Sequence, residues 1–199
     1  MDKKILSPEI VVFAGPNGSG KSTITELLKP SYDYVNADEI KKHIKCGDLE
    51  AAQIATSQRE SYVEKMGNFS FETVMSTSRN LDLLKKAKSK GYFIKCFYVL
   101  TADPAINIAR VKLRVSSGGH DVPKEKIVKR YHNALALIPE LINVCDICSI
   151  YDNTHEPYRI FKKRKTEFFY DDGCEFWLDD DIKHLTGVTD CVTHKLNNQ

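Results

Sequence analysis

No stretch of this sequence stays apolar long enough to cross a bilayer. The longest, residues 92–100, contains Lys95 and falls far short of the ~20 residues that a spanning helix needs. The opening Met1-Asp2-Lys3-Lys4 leads into only a short apolar segment, so no signal peptide is expected. An excess of one charge is also lacking. Lys and Arg number 29 against 27 Asp and Glu, and the total of +2 makes no electrostatic case for nucleic acid. There is no cysteine framework either. Cys46, Cys96, Cys145, Cys148, Cys174 and Cys191 are scattered, as free thiols of a reducing cytoplasm would be. Cys145-x-x-Cys148 has zinc-ligand spacing, but residues 144–150 read as a strand. Positions three apart on a strand point to opposite faces, so buried thiols are expected there rather than a metal pair. Repeats and low-complexity segments are missing. What is left is a membrane-free, cytoplasmic globular chain of 199 residues, enough for one core with a small appendage.

Strand and helix signals alternate along it. Residues 10–14 form an apolar run of the kind buried on both faces of a sheet, and a helix opens near Gly20 and ends at Pro30. A second strand is expected over 32–37, a long helix over 49–66 stopped by Gly67, and a third strand over 69–74. A helix over 79–90 closes at Gly91, and 92–100 is the strongest strand. Asp103-Pro104 starts the next helix, which breaks at the Ser116-Ser117-Gly118-Gly119 turn. Another runs from Pro123 to Pro139, and 145–151 supplies the last strand of the main sheet. Beyond Asn153, residues 159–170 and 174–178 read as a hairpin around Asp171-Asp172-Gly173. The pattern predicts an α/β, P-loop NTPase three-layer fold: a mainly parallel sheet, a helical lid around a glycine-rich loop, and a small C-terminal antiparallel hairpin. In domain terms, 1–158 forms the P-loop domain with its lid at about 110–130, and 159–199 is a hairpin and tail packed on it.

The chemistry starts at Gly15-Pro16-Asn17-Gly18-Ser19-Gly20-Lys21-Ser22, a full G-x-x-x-x-G-K-[ST] match placed directly after an apolar strand and opening a helix. Glycines let backbone amides turn inward around phosphates, and the helix N-terminus favours anions there. Lys21 would sit between the β- and γ-phosphates of ATP or GTP, and the Ser22 hydroxyl would ligate Mg2+, with Thr23 completing the nucleotide site. Asn36-Ala37-Asp38 closes the second strand at the carboxyl edge of the sheet, where α/β folds hold ligands. Asp38 could accept a proton there, hold magnesium through water, or simply cap the following helix. Glu72 lies in an otherwise apolar strand, so it is either put to use at the same edge or solvated at the strand end. Arg110 and Arg114 share a helical face before the glycine turn, and Arg130 follows it. Arginines on both sides of a glycine turn describe a lid closing over phosphates, although each alone could be a surface residue.

These elements, in this order, resemble the zeta-toxin-like P-loop kinases, including UDP-N-acetylglucosamine kinases. The resemblance rests on residues 14–23, Asn36-Ala37-Asp38, Phe71-Glu72-Thr73, Arg114-Val115-x-x-Gly118-Gly119-His120-x-Val122-Pro123, Arg130-Tyr131 and Tyr151-Asp152-Asn153. It implies that Asp38 is the general base, that Glu72 holds substrate and that Arg114 and Arg130 clamp phosphate, with Lys21 completing the catalytic set. Asn36, Thr73, Arg110 and His120 fall to the substrate side. The implied acceptor is the 3′-hydroxyl of the N-acetylglucosamine unit of the nucleotide sugar, and an antitoxin protein is admitted as a partner. The family commonly shows a second threonine after the glutamate, where this chain has Val74.

Three other readings fit less of the sequence. Ser116 to His120 resembles the Ser-Gly-Gly signature of ABC ATPases, but no apolar strand ends in Asp-Glu. A nucleic-acid end kinase would use Lys162-Lys163-Arg164-Lys165 beside Phe161, Phe168, Phe169 and Tyr170; that run reads instead as a solvated face over a minor core. A non-catalytic nucleotide switch would have no use for Asp38 opposite the γ-phosphate.

Overall fold

The computed structural model describes residues 7–28, 32–119, 121–171 and 173–189. Among these residues seven strands form one sheet in the order β2-β3-β1-β4-β5-β6-β7. The first five, β1 (Glu9–Ala14), β2 (Tyr34–Val35), β3 (Phe69–Thr73), β4 (Phe93–Leu100) and β5 (Ile147–Asp152), run parallel. β6 (Tyr158–Arg164) and β7 (Glu167–Tyr170) continue the sheet antiparallel. Ala14 of the central strand pairs in register with Thr73 on one side and Tyr98 on the other, so the carboxyl ends of three strands open together at one edge. Ligands of open parallel sheets bind at that edge. No helix among the described residues is long and apolar enough to cross a membrane.

The two faces of the sheet are covered unequally. On one face Ile10, Val12, Phe71, Ile94, Tyr98, Cys148, Ile150 and Phe161 join a large buried cluster. Helices α4 (Ser78–Ser89), α7 (Ile138–Val144) and α8 (Asp179–Thr186) contribute to it through Leu81, Leu84, Leu141, Ile142, Ile182 and Leu185. The other face has a smaller cluster, in which Ile24 of α1 (Lys21–Leu28) packs on Val11, Phe13 and Val99. α2 (Ala37–Ile44) packs beside α3 (Asp48–Lys65) past one end of the sheet, while α5 (Pro104–Ser116) packs beside α6 (Lys124–Ala136).

Several boundaries depart from expectation for local reasons. β2 has two residues rather than six because Asn36, extended at φ −128°, caps α2 and lets the helix begin at Ala37. Pro139 was expected to end a helix. It sits instead near the start of α7, where its missing N–H costs nothing. The hairpin exists, but its turn lies at Lys165 and Thr166, with Lys165 in the left-handed region at φ 56°. Residues 174–178 are not a strand; Cys174 and Trp177 fold back into the core. Lys163, expected on a solvated face, is buried, and its Nζ donates to the carbonyls of Ile142 (2.7 Å) and Asn143 (3.4 Å) at the end of α7. Cys145 precedes β5 rather than lying in it, so Cys145 and Cys148 do not point oppositely. Both meet Cys96 in the core as buried free thiols. Pro30, Asp172, Cys191 and His120 lie outside the described residues.

Candidate active site

The loop after β1 is a phosphate-sized cradle that the rest of the fold holds from behind. Gly15 has φ 143°, and a Cβ there would lie 1.9 Å from the Val99 carbonyl oxygen; Gly20 has φ 90°, and its Cβ would lie 2.1 Å from Asn153 Nδ2. Side chains are therefore excluded at both positions. Asn153, just past β5, donates from Nδ2 to the Ser19 carbonyl at 2.8 Å. Asn107 of α5, fully buried, donates to the Asn17 carbonyl at 2.7 Å and accepts from Thr101. Tyr131 of α6 in turn donates to the Thr101 carbonyl at 2.6 Å, and Arg130 reaches Asn17 Oδ1 at 3.3 Å. The lid helices thus grip the phosphate loop directly.

Lys21 opens α1 and is buried. Its Nζ donates to the carbonyls of Gly15 (2.8 Å) and Pro16 (3.0 Å) and stands 3.8 Å from Glu72 Oε1. Burial pushes its pKa below the usual lysine range; Arg114 adds to that, while Glu72 and Asp38 oppose it. Two polar atoms beside the cradle, Ser19 Oγ and Arg110 Nη1, are buried with no hydrogen-bond partner among the described residues. Buried polar atoms left unmatched are costly, and an anion in the cradle would satisfy both. Arg110 anchors its other arm, Nη2, on the Thr154 carbonyl at 3.1 Å.

Two cavities meet at Arg114. One is lined by Gly18, Gly20, Lys21, Ser22, Glu72, Arg110 and Arg114 and measures about 190 Å³. The other measures about 590 Å³ and extends between α2–α3 and the lid, where Asn17, Asp38, Asp48, Arg114, Asp121, Lys126 and Arg130 carry its polar lining. Val74, Ala51 and Ala52 give the larger cavity an apolar patch. Asp38 does not cap α2. Asn36 does, its Oδ1 accepting from the amides of Asp38 (2.8 Å) and Glu39 (3.4 Å). Among the described residues the Asp38 carboxylate takes no hydrogen bond or ion pair, and it is exposed to the cavity.

Glu72 is half-buried rather than sealed in its strand. Tyr34 donates to its Oε2 at 3.1 Å, and Asn36 Nδ2 donates to Tyr34 Oη at 3.0 Å. The chain Asn36–Tyr34–Glu72–Lys21 therefore crosses from the second strand to the phosphate loop. Burial together with the Glu72 charge raises the Tyr34 pKa, so its hydroxyl stays protonated as a donor. Thr73 turns away from both cavities. It is buried, and its Oγ1 accepts from Met75 N (3.0 Å) and Asn80 Nδ2 (2.8 Å), tying β3 to the loop that follows it and to the first turn of α4. No local pattern marks Tyr34 or Asn107 in the sequence, and Asn153 was legible only as part of a motif.

A protein-family profile described as Zeta toxin matches residues 2–171. An uncharacterized protein from Haemophilus influenzae is 27% identical over 133 residues, which cover 64% of this chain and 95% of that protein. Among solved structures, one from the PezAT chromosomal toxin–antitoxin system of Streptococcus pneumoniae superimposes with a TM-score of 0.50 at 18% identity, covering 79% of this chain and 73% of its own. A chain of the AvrRxo1-ORF1:-ORF2 crystal structure with ATP gives a TM-score of 0.72 at 11% identity, covering 96% and 67% respectively.

Proposed function

Because the chain belongs to the zeta toxin family, we propose that it is a P-loop kinase transferring the γ-phosphoryl group of a nucleoside triphosphate to a hydroxyl of a small molecule. The observation that carries this reading is the position of Arg114. It lines both the glycine-rich cradle around Lys21 and the larger cavity around Asp38. A guanidinium there faces the junction where charge builds up as a phosphoryl group crosses from donor to acceptor.

The residues divide the work as follows. The cradle of residues 15–22 holds the donor phosphates through backbone amides, and Lys21 leaves its resting contacts with Gly15 and Pro16 to meet them. Arg110 completes the cradle from the lid. Asp38 accepts the proton of the acceptor hydroxyl as its oxygen forms the new bond to phosphorus. The bond from phosphorus to the β-phosphate oxygen breaks, and the nucleoside diphosphate leaves. Arg114 and Arg130 neutralise the transferring group. Ser22 lines the cradle and offers the hydroxyl oxygen that suits Mg2+; such an ion, when bound, supplies charge neutralisation of the donor phosphates.

The acceptor we propose is a nucleotide sugar, with UDP-N-acetylglucosamine as its leading member. A cavity of about 590 Å³ with carboxylate and cationic lining suits a polyhydroxylated, phosphate-bearing compound, and the family membership points the same way. Incubation with Mg-ATP and UDP-N-acetylglucosamine is expected to add one phosphoryl group, read by mass spectrometry. Phosphorylation of another metabolite or an oligonucleotide end instead would remove this acceptor and keep the kinase. ATP binding without transfer to any compound in a metabolite extract would remove the kinase. The resemblance to a chain from a toxin–antitoxin system supports testing co-purification with an antitoxin.

Tyr34 gives a second test on the acceptor side. Tyr34→Phe keeps the ring and removes the hydroxyl that steadies Glu72. The acceptor KM is expected to rise about tenfold, the size of one hydrogen bond to a charged group, with the KM for ATP unchanged. Equal changes in both constants would show that Tyr34 shapes the phosphate loop rather than the acceptor side.

A further inference from the structure

The basic and aromatic run of β6 and β7 takes no part in the phosphate chemistry. At that end of the sheet the two faces differ sharply. On one, Cys148, Ile150, Phe161 and Tyr170 are buried in the cluster that α7 and α8 complete. On the other, Phe97, Tyr151, Lys162 and Phe169 are only half-buried and Arg164 is exposed; the small cluster under α1 ends at Tyr151 and at Phe97, whose ring stacks with Phe13 at 5.6 Å. Strand register arranges this open face in rows. Phe97 pairs with Ser149, Ser149 with Lys162, and Lys162 with Phe169. Three strand spacings put the two rings about 14 Å apart, with an ammonium between them. The neighbouring positions add Arg164 on one side and Arg159, opposite Tyr151, on the other.

These cations lack matching acids. Among the described residues, no ion pair involves Arg159, Lys162 or Arg164, and Arg159 Nε is buried without a hydrogen-bond partner. Glu167 is the register partner of Arg164, and Glu9 is spent on Lys95 at 2.7 Å. Partial burial and the nearby Arg159 and Arg164 push the Lys162 pKa down, the mark of cations crowded without a counter-charge. The whole chain is close to neutral, so this is a local surface rather than a general basicity.

We propose that this open sheet face binds single-stranded nucleic acid, with bases stacked on Phe97 and Phe169 and phosphates neutralised by Lys162 and Arg164. Half-exposed rings and cations alternating across a sheet match the two needs of a single strand, π faces for bases and positive charge for the backbone. A second copy of the chain is disfavoured, since two such faces would oppose like charges. An acidic peptide would meet the cations but leave the rings unused. The acceptor cavity lies at the β2–β3 end of the sheet, so this strand is held apart from the phosphoryl-transfer site and is not its acceptor.

The test is fluorescence anisotropy of the full chain with labelled oligothymidylate and oligouridylate of about 15 nucleotides, across a salt series. Saturable binding is expected for one or both, and comparing them separates DNA from RNA. Lys162→Ala with Arg164→Ala should lower affinity about tenfold or more and reduce the log–log salt slope by about 1.4, that is ~0.7 for each lost contact. Phe169→Ala should weaken binding on the order of tenfold while leaving the salt slope alone. Phe169→Leu keeps apolar bulk without the π face and serves if the alanine variant melts early. Kinase activity should not change in any of these variants. Absence of saturable binding, or affinity unchanged in the variants, overturns the proposal. A glutamate peptide of equal length binding as tightly would overturn it in favour of an acidic protein partner.

Discussion

Replacing Lys21 by alanine is expected to lower phosphoryl transfer on the order of a thousandfold or more, because it removes a buried, preorganised charge from the phosphate cradle. The fold should survive. Glu72 keeps its bond from Tyr34, and the carbonyls of Gly15 and Pro16 that lose the ammonium belong to a loop still held by Asn107 and Asn153. Stability has a sign that can be worked out. The pKa of Lys21 in the folded chain lies below its ordinary value of 10.5, with burial the largest cause. A protonated lysine therefore favours the unfolded chain. That penalty is fully present below the folded pKa and fades as pH rises towards the unfolded value. The alanine variant should thus match or exceed the wild-type melting temperature at neutral pH, with any advantage shrinking under alkaline conditions.

Binding carries the opposite proton balance. A phosphate beside Lys21 raises its pKa, so nucleotide binding takes up a proton on the alkaline side and wild-type affinity falls there as pH rises. Calorimetry in buffers of different ionisation enthalpy measures this uptake, which the alanine variant should lack. Wild-type turnover in Lys21→Ala would remove the phosphate loop from the mechanism altogether.

How much of this site could be read from sequence depends on how local its causes are. The phosphate loop was legible because its glycines, lysine and serine stand within eight consecutive positions, after a strand and before a helix. Strand and helix order followed from apolar periodicity and from caps such as Asp103, whose Oδ1 accepts from the Ala105 amide at 2.6 Å. The contacts that hold the loop are different in kind. Asn107 reaches Asn17 across 90 residues and Asn153 reaches Ser19 across 134, and no spacing rule covers such pairs. Tyr34 finds Glu72 across 38 residues, through a strand only two residues long. The hairpin turn was misplaced because Asp-Asp-Gly is the stronger local signal, whereas the chain turns at Lys165, which bears the left-handed conformation without glycine. The paired rows of β6 and β7 overrode the turn propensity by burying Phe161 and Tyr170 side by side.

Asp38→Asn separates the chemistry from everything the fold does for binding. The substitution keeps size and shape and withdraws only the capacity to take a proton. Asp38 sits in the first turn of α2, where a negative charge gains about 0.3–1 kcal/mol from the helix dipole. The cap itself belongs to Asn36, whose Oδ1 already holds the Asp38 and Glu39 amides. Loss of the charge should therefore lower the melting temperature only slightly. Glu72 is a poor substitute as base, since it is engaged by Tyr34 at 3.1 Å, stands 3.8 Å from Lys21 and lines the cradle rather than the larger cavity. Asp38, by contrast, lines the larger cavity with Arg114 and Arg130, and its carboxylate takes no hydrogen bond among the described residues. The expected result is a fall of about two to four orders of magnitude in the single-turnover rate, the usual range for a general base, with nucleotide affinity nearly unchanged. Rapid-quench measurement of product under saturating enzyme reads the first quantity, and equilibrium titration with a fluorescent nucleotide reads the second. A variant that keeps its rate but melts early would assign Asp38 to the stability of α2. The acceptor proton would then have to leave through solvent or the γ-phosphate itself, a route in which transfer depends on Arg114, the side chain common to the two cavities among the described residues.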